Sequence, residues 1–223
     1  MKIGVFDSGV GGKNIVNALV TFFPDDEVIY ANDQKNVPYG SKQPDEIQKL
    51  TLAAVFSLVS QGCQIIVIAC NTATTNAIEV LRKAHPTVLF VGLEPMIKPA
   101  AQLTKTGTIA VCATPATLRS PSYLTLKHTW ANEINVIEPD CSTWARLIEK
   151  NRASEVDVEA LVQELATRQC DVIVLACTHY HWLKERFLRA AKKEMRILEP
   201  TDAIAERVAH LKEDYRLFTA ATN

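Results

Sequence analysis

Short runs of β-branched and other apolar residues alternate along the chain with longer segments in which apolar residues recur at helical spacing. In the first part of the chain the pattern predicts strands at residues 3–6, 28–30, 65–68 and 88–91, and helices at 11–22, 44–60 and 72–84. The second part continues with strands predicted at 108–112, 135–137, 172–175 and 197–198, and helices at 143–149, 156–168 and 182–194. Such alternation is typical of largely parallel sheets covered by helices on both faces.

A repeat within the sequence divides this pattern in two. Residues 63–72 read CQIIVIACNT and residues 170–179 read CDVIVLACTH, so five of ten aligned positions are identical at a constant separation of 107 residues. Buried parallel strands commonly share Val, Ile and Leu, but this does not explain why Ala-Cys recurs at the strand exit before small polar residues. We therefore predict an α/β fold of two similar, pseudo-symmetric half-domains, residues 1–95 and 96–201, with a C-terminal helix at 202–223 packing back on the first.

The charge balance narrows the range of partners. The chain has 24 Lys and Arg residues against 25 Asp and Glu, a formal net charge of −1, and it contains no run of basic residues. We therefore expect neither nucleic acid as a substrate nor a membrane as a partner. The apolar runs are far shorter than a bilayer crossing needs, and the first residues lead into a strand without a signal-peptide pattern. A cytoplasmic location is expected.

Polar and nucleophilic residues follow the predicted strands. They are Asp7, Ser8, Cys70, Asn71 and Thr72 in the first half, and Thr114, Thr117, Cys177, Thr178 and His179 in the second. In open parallel sheets, ligands bind just beyond the carboxyl ends of the strands. Two half-domains that face each other would therefore bring Cys70 and Cys177 to opposite walls of one cleft, where we expect the active site.

Two opposed thiols suit the transfer of a proton from one face of a carbon acid to the other, which inverts a stereocentre. A thiolate is a usable base near neutral pH, and its conjugate thiol is a competent acid. We predict Asp7 as the partner of Cys70, and His179, held by a carboxylate such as Glu149, as the partner of Cys177. Such chemistry requires no cofactor.

The loop at residues 37–41 reads VPYGS and combines a rigid Pro with a permissive Gly. One interpretation is a simple connecting turn. The other is a hydroxyl-bearing loop that closes over a small polar ligand, and the sequence favours neither.

Several other patterns lead to weaker hypotheses. The remaining cysteines, Cys63, Cys112, Cys141 and Cys170, are expected to be buried structural thiols, because the chain has no C-x-x-C pair. Cys177, His179 and His181 cannot all point one way in a strand-to-helix turn, so no metal is expected there. A nucleophilic Cys177 with His179 as its base stays conceivable, but it leaves the repeated Cys70 without a role.

A glycine-rich segment after the first strand resembles a dinucleotide-binding motif. Gly9, Gly11 and Gly12 precede Asp33, which follows the second predicted strand. The third glycine of the G-x-G-x-x-G motif would fall at Asn14, however, so the pattern is incomplete. No dinucleotide cofactor is predicted.

Six segments together carry a family resemblance. They read GVFDSGVGG, VPYGSK, IACNTAT, VGLEP, ATPATLRS and LACTHY, and in this order and spacing they resemble the glutamate racemases of the aspartate/glutamate racemase family across nearly the whole chain. The resemblance implies interconversion of L- and D-glutamate without a cofactor or metal. It also implies a homodimer that supplies D-glutamate for peptidoglycan in a bacterial cytoplasm.

The resemblance further implies roles for individual residues. Cys70 would abstract the proton of D-glutamate and Cys177 that of L-glutamate, with Glu149 as the acidic partner of His179. Substrate contacts are implied for Asp7, Ser8, Pro38, Tyr39, Gly40, Asn71, Thr72, Thr114, Thr117, Thr178 and His179. Two alternatives stay open, namely a racemase for another amino acid such as aspartate, and a binding protein without catalytic activity.

Overall fold

Two four-stranded sheets form the centre of the computed structural model, which describes residues 1–222, with side-chain surroundings through Tyr215. Every strand pair in both sheets is parallel. The predicted α/β fold of two similar half-domains is therefore confirmed. The boundaries at residues 95 and 201 stay a prediction, and Asn223, the last residue of the predicted C-terminal helix, lies outside the described residues.

The first sheet has the strand order β2-β1-β3-β4. Its strands are β1 (Lys2–Asp7), β2 (Glu27–Asn32), β3 (Ile65–Ile68) and β4 (Leu89–Gly92), and its helices are α1 (Lys13–Phe22), α2 (Pro44–Ser60) and α3 (Asn71–Ala84). All four residues of β3 are buried apolar side chains, because helices cover both faces of this central strand. Helix α2 begins with Pro44, a residue whose fixed φ suits the first helical position.

The second sheet repeats this order as β6-β5-β7-β8. Its strands are β5 (Thr108–Ala113), β6 (Asn135–Ile137), β7 (Val172–Ala176) and β8 (Arg196–Leu198). The helices of this half are α4 (Ile97–Leu103), α5 (Pro115–Leu118), α6 (Pro121–Trp130), α7 (Trp144–Glu149), α8 (Val158–Thr167) and α9 (Lys184–Ala191). The repeated segments thus contain β3 and β7, which occupy the same position in the two sheets.

The helix predictions failed in two places. Helices α4, α5 and α6 were not predicted, because α4 and α5 are short and α5 and α6 begin at prolines that interrupt the apolar periodicity. The helix predicted at 182–194 is a 3-10 turn (Thr178–Leu183) followed by α9. Helix α9 ends before Lys192 and Lys193, whose positive φ angles of 47° and 68° are incompatible with a continuing helix.

The chain returns to the first half in its last helix, α10 (Thr201–Thr222), which packs on α1 and β4. Ile204 and Val208 of α10 are buried in one apolar cluster with Ile3 and Leu19. At its edge, the Asp26 carboxylate pairs with Lys212 of α10. No helix in the described part of the chain combines the length and apolar character needed to cross a bilayer.

Replacing Leu19 by Ala tests this cluster. Leu19 is fully buried in α1, so its truncation should reduce the free energy of unfolding by about 2–5 kcal/mol. Denaturant titration followed by circular dichroism measures the loss. The adjacent Val20 is 51% exposed, so Val20→Ala should change stability by less than about 0.5 kcal/mol. Equal effects of the two substitutions would contradict the packing described here.

Candidate active site

In each sheet, the strand that comes first in the sequence, β1 or β5, has later strands on both of its sides. The chain leaves β1 toward β2 on one side and later adds β3 on the other, and β5, β6 and β7 repeat this arrangement. A crevice opens at such a switch point, beyond the carboxyl ends of the two adjacent strands. In the first half, Asp7 and Cys70 lie at these ends, and in the second half Thr114 and Cys177 do so.

One cavity between the half-domains is lined by both Cys70 and Cys177. The other predicted residues that line it are Ser8, Pro38, Tyr39, Gly40, Asn71, Thr72, Thr114, Glu149 and His179, and Val37 and Ala145 complete the wall. The centre of a water molecule can move within about 20 Å³ of this space, which is room for about one water. The two halves are therefore nearly closed around the cavity.

Three predicted residues lie outside the lining of this cavity. Asp7 is fully buried, and Thr178 donates a hydrogen bond of 2.9 Å to its carboxylate from the other half-domain. Thr178 itself lines a neighbouring small cavity between the halves. Thr117 lies within 3.1 Å of the Thr114 hydroxyl and is also fully buried.

Cys70 lies at the N-terminus of α3, where its sulfur accepts a hydrogen bond of 3.5 Å from the Ala73 amide. The Ser8 hydroxyl is 3.3 Å from the same sulfur. Burial raises the pKa of Cys70 to about 12, and the negative charge of Asp7 adds to this shift, although the bonds from Ser8 and Ala73 oppose it. In this state Cys70 is a protonated thiol near neutral pH, able to donate a proton.

Asp7 acts on Cys70 through charge rather than contact. Its carboxylate accepts hydrogen bonds from the Gly9 amide at 3.0 Å and the Thr178 hydroxyl at 2.9 Å. The side-chain hydrogen-bond partner of the Cys70 sulfur is instead Ser8. The structure thus brings Asp7 near Cys70, while its predicted role as a proton partner stays a prediction.

Cys177 lies beside an imidazole and a carboxylate in series. Its sulfur is 3.8 Å from Nδ1 of His179, and Nε2 of His179 is 2.5 Å from Oε1 of Glu149. Burial lowers the pKa of His179, but its bonds to Cys177 and Glu149 outweigh this effect and raise the pKa to about 11. The hydrogen bond from His179 lowers the pKa of Glu149 to about 2. An imidazolium is therefore favoured, and its positive charge can compensate negative charge on the adjacent sulfur.

Glu149 also joins the two half-domains. It ends α7 in the second half, yet Oε1 accepts a hydrogen bond of 3.1 Å from the Val10 amide, and Oε2 accepts one of 2.8 Å from the Gln34 side chain. Both donors belong to the first half. Sequence reasoning missed Gln34, since no motif marks a residue whose partner is 115 positions away.

Hydroxyl groups of both halves meet on one side of the cavity. Thr72 lies 2.9 Å from Thr114 and 3.3 Å from Thr117, measured between hydroxyl oxygens. Thr114 also caps α5, accepting a hydrogen bond of 3.3 Å from the Thr117 amide. Asn71 is committed to the backbone, because its side-chain amide donates to the Leu93 carbonyl at 3.0 Å. These groups provide a polar wall suited to an anionic ligand.

The loop at residues 37–41 contributes part of the lining through Pro38, Tyr39 and Gly40. Tyr39 is buried, and its hydroxyl donates a hydrogen bond of 2.7 Å to Asp33. Asp33 therefore holds this loop in place. Among the two interpretations of the loop, its position on the cavity favours a role in binding.

Two glycines allow the half-domains to approach closely. A Cβ atom on Gly40 would lie 2.7 Å from Cβ of Thr114, and one on Gly11 would lie 2.7 Å from the backbone carbonyl carbon of Thr178. Both distances are shorter than any real contact of this kind. Glycine is therefore required at both positions in the closed arrangement.

The six cysteines are free thiols, and Cys63, Cys112, Cys141 and Cys170 are buried outside the cavity lining. Within the described residues, no group of three His, Cys, Asp or Glu side chains could hold a metal ion.

The sequence pattern of a known family spans most of the chain. The model of the Asp/Glu/Hydantoin racemase family matches residues 13–208. This chain belongs to the Asp/Glu/Hydantoin racemase family.

Curated relatives of this racemase-family chain are similar over nearly its full length. The glutamate racemase of Roseiflexus sp. (strain RS-1) is 36% identical over 216 residues, which cover 95% of this chain and 79% of the relative. The glutamate racemase of Pseudomonas putida KT2440 is 35% identical over 213 residues, covering 94% and 80%.

Solved structures of glutamate racemases are also similar. The Escherichia coli glutamate racemase, solved with L-glutamate and the activator UDP-MurNAc-ala, is 33% identical with a TM-score of 0.83, and the match covers 95% of this chain and 82% of that one. The aspartate racemase of Picrophilus torridus is 18% identical with a TM-score of 0.62 over 97% of this chain and 98% of the other. That likeness concerns the fold alone.

The charges of Glu149 and His179 predict how stability of this racemase-family protein depends on pH. Glu149, with its pKa lowered from 4.5 to about 2, contributes stability that is complete above pH 4.5 and lost as pH falls toward 2. His179, with its pKa raised from 6.5 to about 11, contributes stability that is complete below pH 6.5 and lost as pH rises toward 11. Both contributions are complete together only between about pH 4.5 and 6.5.

Glu149→Gln should therefore destabilise the protein most in that window, by about 1–3 kcal/mol, since it weakens a hydrogen bond between charged groups. Urea titrations at a series of pH values measure the difference from the unmodified chain. Glu155→Gln is the control, because this exposed carboxylate pairs with Arg152 on the surface. If the difference in the free energy of unfolding between Glu149→Gln and the unmodified chain stayed constant from pH 4 to 9, the assigned charges would be contradicted.

Proposed function

We propose that this protein is a glutamate racemase that interconverts L- and D-glutamate by proton transfer between two cysteines. The observation that carries this proposal is the cavity lined by Cys70 and Cys177, which come from equivalent strand ends of two facing half-domains. Support for the substrate comes from relatives named glutamate racemase that are 35–36% identical over about four fifths of their length. The E. coli structure bound to L-glutamate adds further support.

In the proposed reaction, the sulfur of one cysteine removes the α-proton of glutamate from one face and the thiol of the other returns a proton to the opposite face. Cys177 acts as the base toward L-glutamate, with the imidazolium of His179 compensating its charge. Cys70, a thiol in the described state, is the donor in that direction. In the reverse direction Cys70 abstracts the proton of D-glutamate and Cys177 donates. Proton transfer alone inverts the α-carbon, so the proposed reaction needs no cofactor.

Substrate binding is proposed to use both walls of the cavity. The hydroxyls of Thr72 and Thr114, with the backbone amides at the N-terminus of α3, are proposed to donate hydrogen bonds to carboxylate groups. Ser8, Tyr39 and Gly40 line the remaining surface, and Pro38 and Asn71 shape it. Asp7, Thr117, Thr178 and His179 then complete the substrate contacts when the ligand enters.

The proposal extends to the cellular role. D-Glutamate produced in this way would be consumed in peptidoglycan synthesis, and so would support cell-wall formation in the cytoplasm of a bacterium. A homodimer is proposed on the resemblance to the glutamate racemases. A substrate panel including L- and D-aspartate distinguishes this proposal from a racemase for another amino acid.

Solvent exchange provides the decisive test. Incubation of the reduced, folded protein with either glutamate enantiomer in D₂O should place deuterium at the α-carbon and form the opposite enantiomer, as followed by NMR and chiral chromatography. Cys70→Ser and Cys177→Ser should each lower turnover by about 10²- to 10⁴-fold, because each removes one acid–base group. Cys63→Ser, at the opposite end of β3, is the matched control and should keep its turnover.

The proposed function fails if neither enantiomer exchanges its α-hydrogen with solvent. It also fails if both cysteine variants turn over glutamate like the unmodified chain. If the protein were a non-catalytic binding protein, both variants would keep its ligand binding. Exchange with aspartate but not with glutamate would reassign the substrate and leave the two-thiol chemistry in place.

Gly40→Ala tests whether the closed arrangement is the reactive one. The added methyl group would meet Thr114 at 2.7 Å and keep the halves apart, so we expect kcat/KM for glutamate to fall by about 10- to 100-fold. The free energy of unfolding should be affected much less than kcat/KM, because the contact lies between half-domains and not in a core. The neighbouring Ser41 is exposed, and Ser41→Ala should keep its activity. An unaffected kcat/KM in Gly40→Ala would show that closure at this contact is dispensable.

A further inference from the structure

The orientation of the Glu149 carboxylate is held by bonds to different partners on its two oxygens. Oε1 is shared by His179 at 2.5 Å and the Val10 amide at 3.1 Å, whereas Oε2 accepts the amide of Gln34 at 2.8 Å. Gln34 begins the 3-10 turn Gln34–Asn36, directly before the loop that lines the cavity. Its donor therefore reaches from the first half-domain to a carboxylate of the second.

A glutamate carboxylate turns easily about its last bond, because this torsion has broad and roughly two-fold minima. A bond to one oxygen therefore fixes the direction of the other. With Gln34 bound at Oε2, Oε1 is directed at Nε2 of His179, and the ring presents Nδ1 to the sulfur of Cys177. Without Gln34, the carboxylate can rotate or bind water, and the imidazole loses a fixed partner.

We propose that Gln34 is a positioning residue for the Cys177 side of the reaction, acting through Glu149 and His179. This proposal rests on the proposed racemase function. Since Gln34 belongs to the first half-domain and Glu149 to the second, the bond forms only in the closed arrangement. The same movement therefore closes the half-domains over the substrate and orients Glu149 and His179 beside Cys177.

The influence of Gln34 should not extend to the other face of the substrate. The Cys70 sulfur is bound by the Ser8 hydroxyl and the Ala73 amide, both of the first half-domain, whereas the hydrogen bonds of Glu149 go to Val10, Gln34 and His179. The bond from Gln34 also helps to lower the pKa of Glu149, after the larger effect of His179, which agrees with a role in keeping that carboxylate charged.

Gln34→Ala provides the test, because Gln34 is exposed and its loss should leave the fold intact. We expect kcat/KM to fall by about fivefold, the effect of losing one partly exposed hydrogen bond to a charged group. The fall should be equal for L- and D-glutamate, since enantiomers have equal free energies and the two values of kcat/KM must keep a ratio of one. The rate alone therefore cannot identify the affected face.

Primary isotope effects identify the face of the substrate at which proton transfer is affected. When proton transfer at Cys177 becomes slower, that step limits the reaction more strongly. The deuterium isotope effect on kcat/KM should therefore increase with α-deuterated L-glutamate and decrease toward one with α-deuterated D-glutamate. A general loss of stability or of substrate affinity would not shift the two isotope effects in opposite directions.

Two further variants control the experiment. Gln34→Lys keeps a donor of similar reach, so it should restore the isotope effects of the unmodified enzyme. Lys35→Ala removes an exposed side chain from the same turn and should change neither rate nor isotope effects.

The inference about Gln34 is overturned if Gln34→Ala racemises glutamate with unchanged isotope effects. It is also overturned if Lys35→Ala shifts the isotope effects by as much as Gln34→Ala does. It is also overturned if both isotope effects move in the same direction. Failure of the unmodified protein to racemise glutamate would instead refute the proposed function. The two failures are therefore distinguishable.

Discussion

The arrangement of the site depends on two carboxylates that reach across the boundary between the half-domains. Asp7 belongs to the first half and accepts a hydrogen bond from Thr178 of the second, whereas Glu149 belongs to the second and accepts bonds from Val10 and Gln34 of the first. A buried carboxylate without partners is costly, so each of these bonds favours the closed state over an open one. The arrangement is reciprocal, because each half-domain supplies one carboxylate that accepts hydrogen bonds from the other half-domain. These contacts hold the two halves together around the cavity that Cys70 and Cys177 line.

Within a nearly symmetric fold, the two sulfurs have different surroundings. Cys70 caps α3 and contacts a neutral hydroxyl, and burial keeps it protonated. Cys177 precedes a 3-10 turn instead of an α-helix, and this turn carries His179 toward both the sulfur and Glu149. A reaction that removes a proton on one face and supplies one on the other needs such a difference at its start, because two thiols or two thiolates could not begin it. The repeat thus provides the opposed positions, and the local departures from symmetry place a neutral hydroxyl beside the Cys70 sulfur and an imidazole bound to a carboxylate beside the Cys177 sulfur.

The fold and the lining of the cavity followed from the sequence to a considerable extent, since both depend on local patterns. The alternation of strands and helices predicted the two sheets, and the recurring Ala-Cys predicted which strand ends carry Cys70 and Cys177. The helices that begin at Pro115 and Pro121 were missed because these prolines interrupt the apolar periodicity. The pairing of Glu149 with His179 was predicted, but its partners in the first half-domain were missed for another reason. Val10 and Gln34 are 139 and 115 positions away, and only the packing of one half on the other brings them to that carboxylate.

The small volume of the closed cavity has a consequence for how stereochemistry is controlled. Space for about one water cannot admit an amino acid, so the walls of the cavity must move apart to bind it and approach again afterwards. On approach, water leaves, and charges inside the site interact more strongly than they would in solvent. In the proposed reaction, a carbanion formed there has the opposite thiol as its nearest proton donor, because bulk water no longer competes on that face. Under the proposed mechanism, the contacts of Gly11 and Gly40 with the other half, which a methyl group would prevent, therefore serve the proton transfer as well as the packing.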